Sequence, residues 1–88
     1  MIDTLSRIQV AEALKEINGS GFDSRLAALL KINLYQGRNL LVEEYQEVDD
    51  LLKKSPHDYM ALLAKAQLSE AMNMYREAAA YYRQALTQ

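Results

Sequence analysis

Along the 88 residues, apolar side chains recur every three or four positions and never alternate for long enough to suggest a strand. Leu5, Ile8, Ala11, Leu14 and Ile17 form the first such stripe. They predict a helix over about residues 3–17, capped by Asp3 or Thr4. "NGSG" at 18–21 closes it, because glycine takes the left-handed conformation without strain. A second helix begins at Asp23 or Ser24, carries Leu26, Leu29, Leu30, Asn33 and Leu34 on one broad face, and ends near Tyr35 or Gln36, before "GRN" at 37–39. A third, over about residues 40–54, has Leu41, Tyr45, Val48 and Leu52 at helical spacing, with Lys53 and Lys54 at the negative end of its dipole. "SPHD" at 55–58 predicts the next start: Ser55 as N-cap, Pro56 in the first helical position and Asp58 in the third. That fourth helix runs to about Ala71, and after "MNM" at 72–74 a fifth runs to about Leu86. The expected fold is all-α, with about five helices.

These helices have a period. When each of residues 25–54 is set against the residue 34 positions later, Ala27/Ala61, Leu29/Leu63, Lys31/Lys65, Leu34/Leu68, Asn39/Asn73, Glu43/Glu77 and Leu52/Leu86 are identical. The breaks agree too: "GRN" falls on "AMN", and Asp23-Ser24 on His57-Asp58. A helix–turn–helix period of about this length is the mark of one repeat architecture.

On these residues the chain resembles the tetratricopeptide repeat (TPR) family. The likeness is fullest in the copy at 59–88, where Ala66, Ala78 and Ala85 stand where the family favours small residues. Tyr75 and Tyr82 stand where it favours aromatics. Pro56 of the copy at 25–58 takes the family's proline position, and Tyr35 fits an aromatic one. The copies depart from the pattern at Leu62, Lys65 and Ser69, and at Ile32, Glu44 and Leu51, which replace an aromatic, a leucine and a tyrosine, and three small residues. Residues 1–22 would be a half repeat, so that a single TPR-like domain covers 1–88. The resemblance implies a right-handed stack of helical hairpins. In it, Ala66, Ala78 and Ala85 lie where helices touch, while Tyr75 and Tyr82 fill the gaps beside them with their hydroxyls near water.

Candidate chemistry adds little. A single histidine, His57, in a capping turn, no cysteine, and no phosphate loop or dinucleotide fingerprint argue against an enzyme and against a cofactor or metal site. The five carboxylates of "EEYQEVDD" at 43–50 read as an exposed acidic face of Glu43, Glu47 and Asp50 rather than a reactive cluster. Net charge is −2 and no basic patch is visible, so nucleic acid is not an expected partner. No apolar run approaches the ~18 residues of a membrane span and the N-terminus lacks a signal-peptide pattern, so the expected location is cytoplasmic.

The resemblance implies a partner-binding groove lined by the first helix of each hairpin. Carried onto this chain, the groove is Leu26, Leu29, Asn33 and Gln36, then Met60, Leu63, Gln67 and Glu70. Four apolar side chains at one end and four polar ones at the other suit an apolar helix or extended peptide of a protein partner. Leu29 stands where a carboxylate-gripping TPR domain has lysine, so that mode is not expected. In the other reading, the first helix or a neighbouring segment covers Leu26, Leu29, Met60 and Leu63. A repeat array ends in a polar capping helix, whereas Ala79, Tyr82 and Leu86 of the fifth helix form an apolar face. The expected function is therefore an adaptor or small chaperone, similar to co-chaperones of bacterial secretion systems. The alternative is a self-associating scaffold segment, dimerising through that end face.

Overall fold

The computed structural model describes residues 4–87, with side chains from Ser6 onward. Among the described residues there are five helices and no strand: α1 (Thr4–Gly19), α2 (Ser24–Gly37), α3 (Leu41–Lys54), α4 (Tyr59–Ala71) and α5 (Tyr75–Leu86). Asp3, one expected cap of the first helix, and the Leu5 side chain of its stripe lie outside the described residues. Each helix packs on the next along the chain, most extensively α4 on α5, and α2 also touches α4. The molecule measures 38 × 31 × 15 Å. Its thin dimension corresponds to two helices laid one on another at the usual spacing of about 8–10 Å.

The turns recur with the sequence period. Asn39 and Asn73, which are repeat partners, are the two non-glycine residues with positive φ among those described, at 58° and 61°. Asparagine tolerates this left-handed region, so each closes its helix without glycine. The bonds around them correspond: Leu40 N donates to Tyr35 O (2.9 Å) and Met74 N to Ser69 O (2.8 Å). Both motifs return the chain sharply, so α3 folds against α2 and α5 against α4.

The core lies between the hairpins. Ile32 of α2, Val48 and Leu51 of α3, and Ala61 of α4 form one buried cluster, with Leu29 and Leu52 packed against it. Leu62 and Leu68 are buried on α4. Ala66, Ala78 and Ala85 are all buried, where the small-residue pattern places close helix approach. Tyr75 is different: it is 64 % exposed and its hydroxyl turns back to Asn73 Oδ1 (2.9 Å). Its counterpart in the preceding copy, Leu41, shares a cleft with Met72 of the α4–α5 turn, and no described element stands in that relation to Tyr75. Tyr82 is half-buried, as its position suggests, with its hydroxyl on Glu70 (2.8 Å).

Three other expectations change. α1 buries Val10, with Leu14 and Ile17 half-buried, while Ile8 and Ala11 are exposed. The stripe facing α2 is thus shifted from the one its spacing suggests. The N-cap of α4 is Asp58 rather than Ser55: its carboxylate accepts from Met60 N (3.0 Å) and Ala61 N (3.3 Å). Ser55 instead terminates α3, and Pro56 sits in the connecting turn. The acidic segment is not a solvated face. Glu44 is buried, Glu47 pairs with Lys31 (3.8 Å) and Asp49 with Lys65 (2.5 Å). Of the three residues expected outside, Asp50 alone is exposed.

Candidate functional site

The first turns of α2 and α4 are held side by side by one aspartate. Arg25 Nε donates to Asp58 Oδ2 (2.6 Å) and Nη2 to Oδ1 (3.2 Å), a two-pronged contact, while Asp58 also caps α4. The Arg25 bond holds the Asp58 carboxyl below its ordinary value; burial opposes this, and the backbone N–H groups of Ala61 and Met60 reinforce it. A depressed pKa contributes stability that is present above the unfolded value of about 3.9 and lost as pH falls through the folded one. Asp58→Ala is expected to cost about 1–2 kcal/mol by urea unfolding, and Asp58→Asn less, because asparagine still caps. If Asp58→Ala unfolds at the wild-type midpoint, Asp58 does not hold the helix start.

Next to this bridge stand the apolar residues expected to line a groove. Leu26 is 41 % exposed and Met60 46 %. Leu26 directly follows Arg25, and Met60 lies two positions after Asp58, so both belong to the joined first turns. One turn further, Leu29 and Leu63 are half-buried, and Leu29 packs against the core cluster. Asn33, Gln36, Gln67 and Glu70 lie towards the other end of α2 and α4, and each is exposed. Glu70 is engaged by Tyr82 of α5, which joins a residue expected in the groove to one expected at the end face. Among the described residues α1 touches α2 and not α4, so it does not cover Met60 or Leu63.

At the opposite end, Ala79 and Leu86 of α5 are exposed, Leu86 to 80 %. Both stand clear of the α4 contact, in which Ala78 and Ala85, their immediate predecessors, are buried. His57 is exposed in the turn before α4. Among the described residues no group of three or more histidine or acidic side chains is placed to hold a metal ion.

Sequence reasoning missed one polar cluster. Lys65, buried on α4, lies with Nζ 3.5 Å from the centroid of the Tyr45 ring and 5.8 Å from that of Tyr81, and bonds to Asp49. Burial acts to lower its pKa, but Asp49 and Tyr45 outweigh it and the ammonium is stabilised. The signal was present: Lys31 and Lys65 are repeat partners, and Lys31 pairs with Glu47, whose own counterpart in the next copy is Tyr81. Lys31 thus reaches its own second helix, whereas Lys65 reaches back mainly to α3 and only more distantly to Tyr81 of α5.

Comparison with protein-family models, with curated proteins and with solved structures found no match to this chain.

Proposed function

We propose that this chain is a protein–protein interaction module, a short TPR-like stack in which α2 and α4 line one face that holds an apolar helix or peptide of a partner. The periodic recurrence of the Asn39 and Asn73 turns and the contact between α2 and α4 support the hairpin stack. The observation that carries the binding reading is the pair Leu26 and Met60, both uncovered on first turns that Arg25 and Asp58 hold together. Two exposed apolar side chains on a pinned backbone give a partner helix an anchor whose ordering cost is met before binding. The module works by binding, as an adaptor or small chaperone, needs no cofactor, and acts in the cytoplasm. No helix in the described residues is long and apolar enough to cross a membrane.

Leu29 and Leu63 are poor probes of this face, since Leu29 also packs the core. Leu26→Asp with Met60→Asp is expected to weaken partner binding about ten- to hundredfold, from the burial of two apolar side chains, with helicity and urea midpoint near wild type. A photo-reactive residue at position 60 should cross-link that partner, and one at position 53 should not. Equal affinity of wild type and double variant would reject the α2–α4 face.

A second reading has its own observation. The exposure of Leu86, with Ala79 on the same helix, favours self-association through α5. Sedimentation should then reveal a concentration-dependent dimer that Leu86→Glu abolishes. Leu86 is a cleaner target than Tyr82, whose hydroxyl ties α5 to α4. A monomer at all concentrations would exclude this reading.

A further inference from the structure

The flank that α3 offers to α4 shows how one hairpin receives the next. Asp49 bonds Lys65 Nζ (2.5 Å), and the centroid of the Tyr45 ring lies 3.5 Å from that nitrogen. Val48 and Leu51 share a buried cluster with Ala61, Leu52 packs against it, and Met72 lines one cleft with Leu41 and Val42. Lys65 and Met72, seven residues apart, thus meet α3 at Asp49 and Val42, seven apart in the opposite sense. The two helices therefore run antiparallel along this contact.

One period on, the same flank of α5 consists of Tyr75, Ala79, Tyr82 and Leu86, with Arg76 at the place of Val42 and Arg83 at the place of Asp49. Leu41 and Leu52 are half-buried, whereas their counterparts Tyr75 and Leu86 are 64 % and 80 % exposed. Ala79, Arg76 and Arg83 are exposed too. Among the described residues neither arginine side chain has a hydrogen bond or an ion pair. Glu77, the one acidic residue of α5, lies two positions from Ala79 and so on the far side of the helix. At the junction the chain fills, the second helix supplies the anion and the incoming helix the cation. At the open one the second helix supplies two cations.

We propose that this flank of α5 docks an acidic amphipathic helix of a protein partner in the way that α3 receives α4. Apolar side chains of that helix rest on Tyr75, Ala79, Tyr82 and Leu86. One carboxylate, at the place of Lys65, meets Arg83, and a second, at the place of Met72 two turns on, meets Arg76. The inference rests on the hairpin stack proposed above and not on its α2–α4 face. A second copy of the chain supplies no such acidic row: on this flank it carries the same two arginines, and its nearby Glu70 is engaged by Tyr82. Its α2 has Lys31 at the place of Lys65 and would set an ammonium against Arg83. The charge order therefore selects an acidic partner over self-association at α5.

NMR titration of the isotopically labelled chain with a helical peptide tests the proposal. The probe has the sequence of residues 59–72 with Lys65→Glu and Met72→Glu, and is cross-linked between positions 63 and 67, on the side away from the α3 contact. Its control keeps Lys65 and carries Met72→Lys. The acidic probe should shift the amides of residues 75–86 and bind about three- to tenfold tighter than the control, a gap that narrows in high salt. Arg76→Glu with Arg83→Glu should invert the order of the two peptides while the urea midpoint stays near wild type, since both positions are exposed. Leu26→Asp with Met60→Asp should leave the titration unchanged, which separates this flank from the α2–α4 face. Equal affinity for the two peptides, no shift in α5, or shifts centred on residues 26 and 60 would overturn the proposal. So would α5 amides that broaden with protein concentration alone, because a second copy would then hold the flank.

Discussion

Leu62→Ala is expected to lower the stability of this chain by about 3 kcal/mol, the middle of the range for deleting a buried leucine side chain. Leu62 is among the largest fully buried side chains here and sits in the helix that touches α2, α3 and α5. Its removal opens space on a helix packed by three partners, and the buried positions of Ala61 and Ala66 beside it leave little freedom to collapse into the gap. Domains of this size have a total stability of about 5–15 kcal/mol, so the loss is a large fraction. The urea midpoint should fall with an unchanged slope, because the surface exposed on unfolding is nearly the same. Leu26→Ala, on the exposed face of α2, should cost less than about 1 kcal/mol. A midpoint shift for Leu62→Ala no larger than that of Leu26→Ala would mean that the helices do not meet at Leu62.

The second large effect concerns Lys65. Asp49→Ala leaves a buried ammonium with the Tyr45 and Tyr81 rings as its remaining partners. Breaking a fully buried ion pair from one side costs about 3–5 kcal/mol. The Asp49 side chain is 37 % exposed and the rings retain some attraction, so about 2 kcal/mol is expected. Lys65→Met removes the charge and keeps the length of the side chain, so it should be neutral within about 1 kcal/mol and should rescue Asp49→Ala in the double variant. Thermal unfolding of the four proteins closes the cycle. Additive losses from Asp49→Ala and Lys65→Met would show that the two side chains act independently.

Both substitutions act where α4 meets its neighbours. The α4 helix supplies Ala61 to the cluster shared with α2 and α3 and Lys65 to the contact with α3, and Ala66 on it is fully buried. Packing against three helices leaves Tyr59 and Met60 exposed at its start and Gln67, Glu70 and Ala71 exposed further along. A face built on so heavily packed a helix can present side chains without moving, which a binding module requires.

Local chemistry along the chain was enough to specify the elements and their period. Helix extents and the breaks between them depend on interactions within a few residues, and those interactions are the same whatever packs outside them, although at the start of α4 Asp58 rather than Ser55 is the cap. The N-cap Asp23 and the left-handed turns at Asn39 and Asn73 are of this kind. Which side of each helix is covered emerged only when the helices met. Ile8 and Val10 are both strongly apolar, yet Val10 is buried and Ile8 is left outside. The acidic run of α3 looks solvated until lysines from α2 and α4 arrive to pair with Glu47 and Asp49, and packing leaves Glu44 little exposed. The same holds for Asp58, whose second role appears once Arg25, distant in sequence, lies beside it. Burial and pairing are properties of two surfaces together, so a pattern along one chain segment can name the residues that take part but not the partners they meet.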